Sequence, residues 1–310
     1  MDLFLATEAQ ACARDAATWT AWGGALSPGD YLTLLLRLRK HPWPREAMTT
    51  WLLVDPTGET VASCQAYRTA CRLRGVPGNA YGLGSVFVDP AQRGQGLASQ
   101  LLERLAARLT AEDPAAQACF LFAEAGATAY MRAGFQDRPT ASLAFSARPG
   151  DVSSVADGLI LETELPGDEA ALAWPAGSFA LHPSPAQLDW HLEREHILLG
   201  VTGGTPPPLR GARAGRGLAL WVADPARQAL TFLCFQAPSP AEASTLLETA
   251  RRTASACGLP QVLLWDASEA PASLRAEGAV LAPALRPMLR PLTGAFQAAD
   301  WTTVAGATRI

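Results

Sequence analysis

Apolar residues form strand-like runs at three places in the first half of the chain, and a helical pattern follows the third run directly. The runs 49–55, 60–73 and 81–89 (YGLGSVFVD) predict strands, and the turn residues 56–58 (PTG) predict that the first two form a hairpin. The next stretch carries leucines at the period of an amphipathic helix. They are Leu97, Leu101, Leu102, Leu105 and Leu109. A strand that leads directly into such a helix predicts a mixed α/β fold.

Shorter elements follow, and their order recurs in the second half of the chain. The sequence predicts a buried strand at 118–124, a short helix at 127–135 that ends at Gly134, and a last strand at 140–147. The second half again shows two hairpin strands, a long helix opened by a Ser-x-x-Glu capping box at 239–242, and a further strand. This order indicates a weak internal repeat, although α/β elements also recur in unrelated folds.

The chain length and one loop-rich stretch predict two domains. The 310 residues suit two domains of about 150 residues each, and Pro, Gly and Asp cluster around residues 148–151 and 166–168. We therefore predict a first domain at 1–148, a linker at 149–167 and a second domain at 168–310. The fold class is α/β (α+β), with a mixed central sheet in the first domain.

Composition excludes several functional classes. The chain has 25 Lys+Arg against 29 Asp+Glu, a net charge of −4, and this mildly acidic balance argues against nucleic-acid binding. No apolar run reaches the roughly 18 residues of a membrane helix. The start, MDLFLATEAQ, lacks the basic segment of a secretory signal. We expect a protein of the cytoplasm that contacts neither nucleic acid nor membrane.

The cysteines and histidines do not suggest a metal site. The six cysteines show no CxxC spacing and lie mostly in apolar runs, as buried free cysteines do. His191 and His196 are five residues apart, on different faces of a helix. We expect no metal and no disulfide framework.

The turn between the third strand and the long helix carries two glycines. Its residues are Arg93, Gly94, Gln95, Gly96, Leu97 and Ala98. Glycines there allow successive backbone N–H groups to surround a phosphate at the start of a helix. They could equally form only a tight corner. The turn lacks the GKS or GKT of a Walker loop and the third glycine of a dinucleotide fingerprint.

This turn, together with the segment that follows it, resembles the GCN5-related N-acetyltransferase (GNAT) superfamily. The family pattern Gln/Arg-x-x-Gly-x-Gly/Ala matches Arg93, Gly96 and Ala98, and a tyrosine-glycine-phenylalanine signature matches Tyr130, Gly134 and Phe135. The resemblance covers residues 1–148 and implies a GNAT-type sheet. More narrowly, the runs WLLVD, VASCQAYR and DWHLEREH also resemble fungal lysine N-acetyltransferases and their bacterial relatives.

The resemblance implies acetyl-CoA as the co-substrate and assigns roles to named residues. The backbone of residues 93–98 would bind the pyrophosphate, and Phe87 and Val88 would pair with the pantetheine arm, one of their N–H groups polarising the thioester oxygen. Tyr130 would hydrogen-bond to the departing thiolate or protonate it, the alternative being an aromatic side chain that only packs on the short helix. The strand at 81–88 lacks the glutamate that many relatives use as a base, which leaves Glu124 as the nearest carboxylate. The alternative is that Glu124 is only an exposed loop residue. Cys119, inside ACFLF, is expected to belong to the core.

The second half lacks this machinery. At the position of the glycine turn it reads QAPSP (236–240), in which two prolines remove N–H donors, and Leu274 stands where the tyrosine would be. The second domain is therefore predicted to be a degenerate GNAT-like fold. It would build part of the substrate cleft or stabilise the first domain. The acidic segment 189–196 could bind a cationic amine, or it could be a solvated helix face.

The resemblance thus implies an N-acetyltransferase that transfers acetyl directly to a small primary amine, with an amino acid such as lysine as one candidate. The alternative is a non-catalytic acyl-CoA-binding or regulatory module. The amine, the base and the oligomeric state stay open at this point.

Overall fold

The computed structural model shows two compact units. It describes residues 1–310 apart from 25, 125–126, 139, 162–173, 175–176, 203, 205, 267–269, 283–284, 294–295, 302–307 and 309–310. The N-terminal unit comprises Met1–Pro139 with Leu285–Trp301, and the C-terminal unit comprises Thr140–Ala284 with Thr302–Arg309. Each unit contains one sheet and its own helices.

The described helices and strands alternate in the manner of a mixed α/β protein. The helices are α1 (Glu8–Ala17), α2 (Trp19–Trp22), α3 (Pro28–Lys40), α4 (Pro42–Ala47), α5 (Leu97–Glu112), α6 (Ala127–Arg132), α7 (Pro185–Thr202), α8 (Pro240–Ala256) and α9 (Ala272–Glu277). The strands are β1 (Asp2–Leu5), β2 (Met48–Val54), β3 (Thr60–Leu73), β4 (Val76–Val88), β5 (Ala116–Ala123), β6 (Gln136–Asp137), β7 (Ser142–Ser146), β8 (Gly158–Leu161), β9 (Phe179–His182), β10 (Leu209–Ala214), β11 (Gly217–Asp224), β12 (Ala229–Gln236), β13 (Gln261–Leu264), β14 (Ala279–Leu281) and β15 (Arg286–Pro291).

The N-terminal unit is built on a mixed sheet in the order β1-β2-β3-β4-β5-β15-β6. Strands β1 to β4 are antiparallel to one another, and β5 is parallel to β4. The predicted leucine stripe packs α5 on this sheet, where Leu101, Leu102 and Leu105 are fully buried. Burial of a leucine side chain contributes about 2 kcal/mol, so this stripe is the main attachment of α5.

The C-terminal unit repeats this plan in the order β14-β7-β13-β12-β11-β10-β8. Helix α8 covers the sheet through Leu246 and Leu247, which pack with Trp221 and Phe232. Ser239 caps α8 as predicted, since its hydroxyl accepts the N–H of Glu242 at 3.2 Å, while the Glu242 carboxylate accepts from that hydroxyl at 2.7 Å rather than from the Ser239 N–H. The mixed α/β fold is confirmed, and the two units share one plan of a mixed sheet covered by a long helix.

Each sheet includes at least one strand from the other half of the chain. Strand β15 lies between β5 and β6, with Met288 opposite Leu121, and strand β7 lies between β13 and β14, with Phe145 opposite Val262. The strand expected to end the first domain therefore belongs to the second sheet. Apolar alternation predicts a strand but not its partner, because any sheet edge of matching pattern can accept it.

The division into units consequently differs from the predicted boundaries. Along the chain, the first unit ends at residue 139 rather than at 148. Residues 285–301 belong to the N-terminal unit instead of the predicted 168–310 domain. The predicted linker 149–167 contains strand β8, which pairs with β10. Residues 162–167 of that linker lie outside the described part of the chain.

Candidate active site

The turn between β4 and α5 exposes its backbone. A 3₁₀ helix (Pro90–Gln92) leaves β4, and Gly94 and Gly96 then adopt left-handed conformations with φ of +84° and +76°. A Cβ added to either glycine would meet no atom within 4 Å. The left-handed backbone explains why glycine occupies both positions, and the open space leaves room for a ligand.

The start of α5 has unpaired hydrogen-bond donors. The first intrahelical bond runs from the N–H of Gln100 to the carbonyl of Gly96 at 3.1 Å, and no side chain caps the helix. Across the described residues, the N–H groups from Gly94 to Ser99 find no acceptor. Together with the positive end of the helix dipole, these donors form a cradle for an anion.

The side chains of the cradle play a smaller part than its backbone. Arg93 is exposed, and its Nε donates to the carbonyl of Val88 at 3.3 Å. Gln95 is exposed and bonds to Gln92 through their side-chain amides at 2.9 Å. The Leu97 side chain is buried in the core, so this predicted cofactor-binding residue can offer only its N–H. Ala98 has no polar side chain, so it too can offer only its N–H.

Beside the cradle, β4 diverges from β5. The two strands pair in parallel only from Asn79 to Gly82 of β4, although β4 continues to Val88. The last residues of β4, including Phe87 and Val88, thus present an edge that β5 does not cover. Such an edge can pair with an extended ligand that lies between the strands.

A bulge alters the direction of β4 at this open edge. Ser63 lies opposite Phe87 and Gln65 opposite Gly84, so that Ser85 and Val86 face a single residue of β3. Ser85 has a φ of +50°, which is uncommon for a residue with a side chain. Nothing in the sequence marks Ser85 as such a residue, and the prediction did not include it.

Tyr130 lies on α6 and packs on the core of the N-terminal unit. Its ring meets the ring of Phe135 edge to face at 6.4 Å, and its carbonyl accepts the N–H of Phe135 at 3.0 Å. Burial, and then the charge of Glu124, raise the pKa of Tyr130 above its usual value. Within the described chain, the Tyr130 hydroxyl has no hydrogen-bond partner. It is therefore a protonated donor at neutral pH.

Glu124 stands at the end of β5, where the chain leaves the sheet. Its side chain is exposed, and it has no hydrogen bond to any described residue. Its effect on the pKa of Tyr130 shows that the two side chains interact electrostatically. The catalytic roles of Tyr130 and Glu124 stay predictions.

Two contacts connect α6 to the rest of the site. Ser99, in the first turn of α5, donates from its hydroxyl to the carbonyl of Ala129 at 2.8 Å. Arg290, on β15, donates to the carbonyl of Ala133 at 2.6 Å. The cradle helix and the exchanged strand therefore both position the helix that carries Tyr130. Sequence reasoning missed both residues, because neither belongs to the recognised motifs.

The remaining expectations concern Cys119 and the second half of the chain. Cys119 is fully buried, and burial raises its thiol pKa to about 12, which agrees with a core position. In the C-terminal unit, Ser239 caps α8 where α5 is uncapped, and Leu274 is buried. The helix start equivalent to the cradle is thus closed to an anion.

No group of three metal-ligating side chains occurs in the part of the chain that is described. Likewise, none of the described helices combines the length and the apolar character that crossing a bilayer requires.

Comparison with known proteins gives two family matches. Residues 47–137 match the acetyltransferase (GNAT) domain, and residues 173–283 match the LYC1 GNAT-like C-terminal domain. No curated protein matches the chain. The narrower resemblance to fungal lysine N-acetyltransferases stays a prediction.

Solved structures show the same fold over most of the chain. Eis1 from Mycobacterium abscessus is 15% identical, with a TM-score of 0.57 over 94% of this chain and 74% of that one. A GCN5-related N-acetyltransferase from Anabaena variabilis is 14% identical, with a TM-score of 0.58 over 94% and 73%. A putative acetyltransferase from Pyrococcus horikoshii is 11% identical, with a TM-score of 0.54 over 99% and 95%. With GNAT models on both halves and this shared architecture, the chain belongs to the GCN5-related N-acetyltransferase superfamily.

Proposed function

We propose that the protein is an acetyl-CoA-dependent N-acetyltransferase that acts on a small primary amine by direct transfer. The observation that carries this proposal is the run of unpaired N–H groups from Gly94 to Ser99 beside the uncovered edge of β4. A pyrophosphate next to an extended pantetheine arm has the shape and the acceptors that these two features require. Membership of the superfamily supports acyl-CoA-dependent N-acetyl transfer in general.

The residues of the site divide the work between binding and proton transfer. The backbone of residues 93–98 binds the pyrophosphate, and the backbone of Phe87 and Val88 orients the thioester, with one N–H donating to its carbonyl oxygen. Acetyl-CoA supplies the activated acetyl group. Tyr130, kept protonated by its raised pKa, donates its proton to the sulfur that leaves.

The amine must reach the site uncharged. Removing a proton from an ammonium with a pKa near 10.4 costs about 4 to 5 kcal/mol at pH 7. Glu124 is the carboxylate at the end of β5 and accepts this proton, directly or through water. Its exposure allows the proton to pass on to solvent.

The amine itself is proposed to be an amino acid such as lysine. The resemblance of the runs WLLVD, VASCQAYR and DWHLEREH to lysine N-acetyltransferases supports this choice. A non-catalytic acyl-CoA-binding module is the second candidate. It is favoured by the absence of a carboxylate on β4 between Tyr81 and Val88 and by the lack of any described partner that would orient Glu124.

The test measures thiol release from acetyl-CoA with a panel of amines: free amino acids, polyamines and amino sugars. We expect release that depends on the amine and saturates, with lysine among the best acceptors, and an N-acetylated product by mass spectrometry. Calorimetry with coenzyme A runs in parallel. Tight binding without amine-dependent release would establish the second candidate, and no binding at all would refute both.

A further inference from the structure

A groove of about 380 Å³ lies on the N-terminal unit, apart from β4 and the cradle. It is bounded by the start of α1, the end of α3, helix α4 and the start of β2. We call it the α3–α4 groove. Three cationic side chains line it, Arg39, Lys40 and Arg45, against one carboxylate, Glu8. None of the residues assigned to acetyl transfer lines this groove.

The positive charge of the groove extends into the interior. Asp15 is 1% exposed and pairs with two arginines, accepting from Arg39 at 2.6 Å and from Arg14 at 3.0 Å. Two cations therefore share one anion, which leaves one positive charge without compensation. The Nε of Arg39 is buried and has no acceptor among the described residues. An uncompensated charge in a partly buried place favours binding of an anion nearby.

The other two cations are free to meet such an anion. Lys40 and Arg45 are exposed, and neither pairs with a described residue. Apolar side chains, among them Leu5, Leu36 and Met48, form much of the remaining wall, and three threonines (7, 49 and 50) complete it. Leu5 and Leu36 are 57% and 37% exposed, so an apolar ligand could cover them. The groove thus joins a cationic rim to an apolar floor.

We propose that the α3–α4 groove binds a small organic acid, with its carboxylate at the three cations and its carbon chain on the apolar wall. A guanidinium and an ammonium donate well to a carboxylate, and the apolar wall distinguishes an organic acid from an inorganic anion. The volume lies at the lower end for small-molecule sites, which suits a short ligand. This site is separate from the acetyl-transfer site and does not depend on the proposed function.

The composition of the chain provides a selective probe. Lys40 is the only lysine in the protein. Reductive methylation with ¹³C-formaldehyde keeps the amine charged and labels Lys40 together with the amino terminus, so an NMR spectrum contains one lysine signal. The variant Lys40→Arg removes that signal and thereby assigns it.

The experiment titrates the labelled full-length protein with acetate, butyrate, hexanoate and inorganic phosphate. We expect a saturable shift of the Lys40 signal, with an affinity that rises about two- to fourfold for each added methylene group. Phosphate should bind at least about tenfold more weakly than hexanoate. No saturable shift, or phosphate binding as tightly as hexanoate, would overturn the proposal.

A matched pair of variants tests the location. Arg45→Gln removes an unpaired cation of the groove, and Arg104→Gln removes an exposed, unpaired arginine of α5 outside it. We expect Arg45→Gln to weaken hexanoate binding about tenfold and Arg104→Gln to leave it unchanged. Equal effects would show a response to net charge alone and would refute the site. Because both side chains lack partners, circular dichroism should show both variants folded.

Discussion

Arg14 on α1 donates a hydrogen bond to the backbone carbonyl of Ser85, the residue of positive φ in the bulge of β4. The same guanidinium donates from Nε to the Ser63 hydroxyl at 3.1 Å and lies 5.7 Å from the ring of Trp22. A charge-assisted bond of this kind holds a strained residue in place. Arg14 thereby connects α1 to the part of β4 that diverges from β5.

This contact predicts different effects for two neighbouring substitutions. Arg14→Lys keeps the charge but loses the planar fork, so it cannot contact Ser85, Ser63 and Asp15 at once. We expect it to lower the free energy of unfolding by about 1 to 3 kcal/mol and to lower the turnover number. Ser63→Ala removes only one acceptor and should cost less than about 1.5 kcal/mol. Urea unfolding and the thiol-release assay measure both effects, and equal losses in the two variants would contradict a special role for the Ser85 contact.

The cradle predicts a difference between two glycines of similar conformation. Gly96 and Gly58, in the β2–β3 turn, have φ of +76° and +92°, and a Cβ at either position would meet no atom within 4 Å. Alanine at either site should cost a similar 1 to 2 kcal/mol or so in stability. Only at Gly96 would the methyl group enter the space above the free N–H groups. We expect Gly96→Ala to weaken coenzyme A binding about tenfold or more by calorimetry and Gly58→Ala to leave it unchanged.

The proposed role of Tyr130 predicts that its hydroxyl affects turnover more than it affects the affinity for acetyl-CoA. Tyr130→Phe keeps the ring on the core and removes only the hydroxyl, which has no described partner to lose. We expect turnover to fall about 10- to 100-fold while acetyl-CoA affinity changes less than about threefold. Because burial raises the pKa of Tyr130, its deprotonation should not limit turnover below about pH 10. Equal losses of turnover and affinity would indicate a packing role instead.

The buried thiols predict a loss of stability in alkali. Burial raises the pKa of Cys64 and of Cys119 from 9.0 to about 12. Above pH 9 the unfolded chain releases these protons while the folded chain retains them, so the free energy of unfolding falls as pH rises from 9 towards 12. The double variant Cys64→Ala/Cys119→Ala should reduce this slope in urea unfolding series. A double variant that keeps the slope of the original protein would show that these two thiols are not its source.

The exchanged strands predict which fragments fold. Residues 1–148 lack β15, so β5 and β6 lose the strand that separates them, and Met288 and Leu289 leave the core. We expect this fragment to aggregate or to unfold without a cooperative transition. A fusion of residues 1–138 to 285–301 through a flexible linker restores β15 between β5 and β6 and should unfold cooperatively. Circular dichroism with urea measures both, and a cooperative 1–148 fragment would contradict the prediction.

The sequence alone determined the features that depend on neighbouring residues. The leucine period of α5 follows from the need to bury one helix face, and the glycines at 94 and 96 follow from a turn that requires positive φ. The capping residue Ser239 acts within three positions of itself. For the same reason the cradle and the Tyr130 helix could be located before the structure was known.

The tertiary structure decided what depends on distant pairs. The pattern of a strand does not specify its partner, so only the packed sheets determine that β7 joins the second sheet and β15 the first. The support of the Tyr130 helix by Arg290, 157 residues from its acceptor at Ala133, arises from that exchange. The bulge at Ser85 likewise depends on Arg14, 71 residues away. These contacts form only when the chain closes on itself, because no local pattern encodes the partner of a buried charge or of a sheet edge.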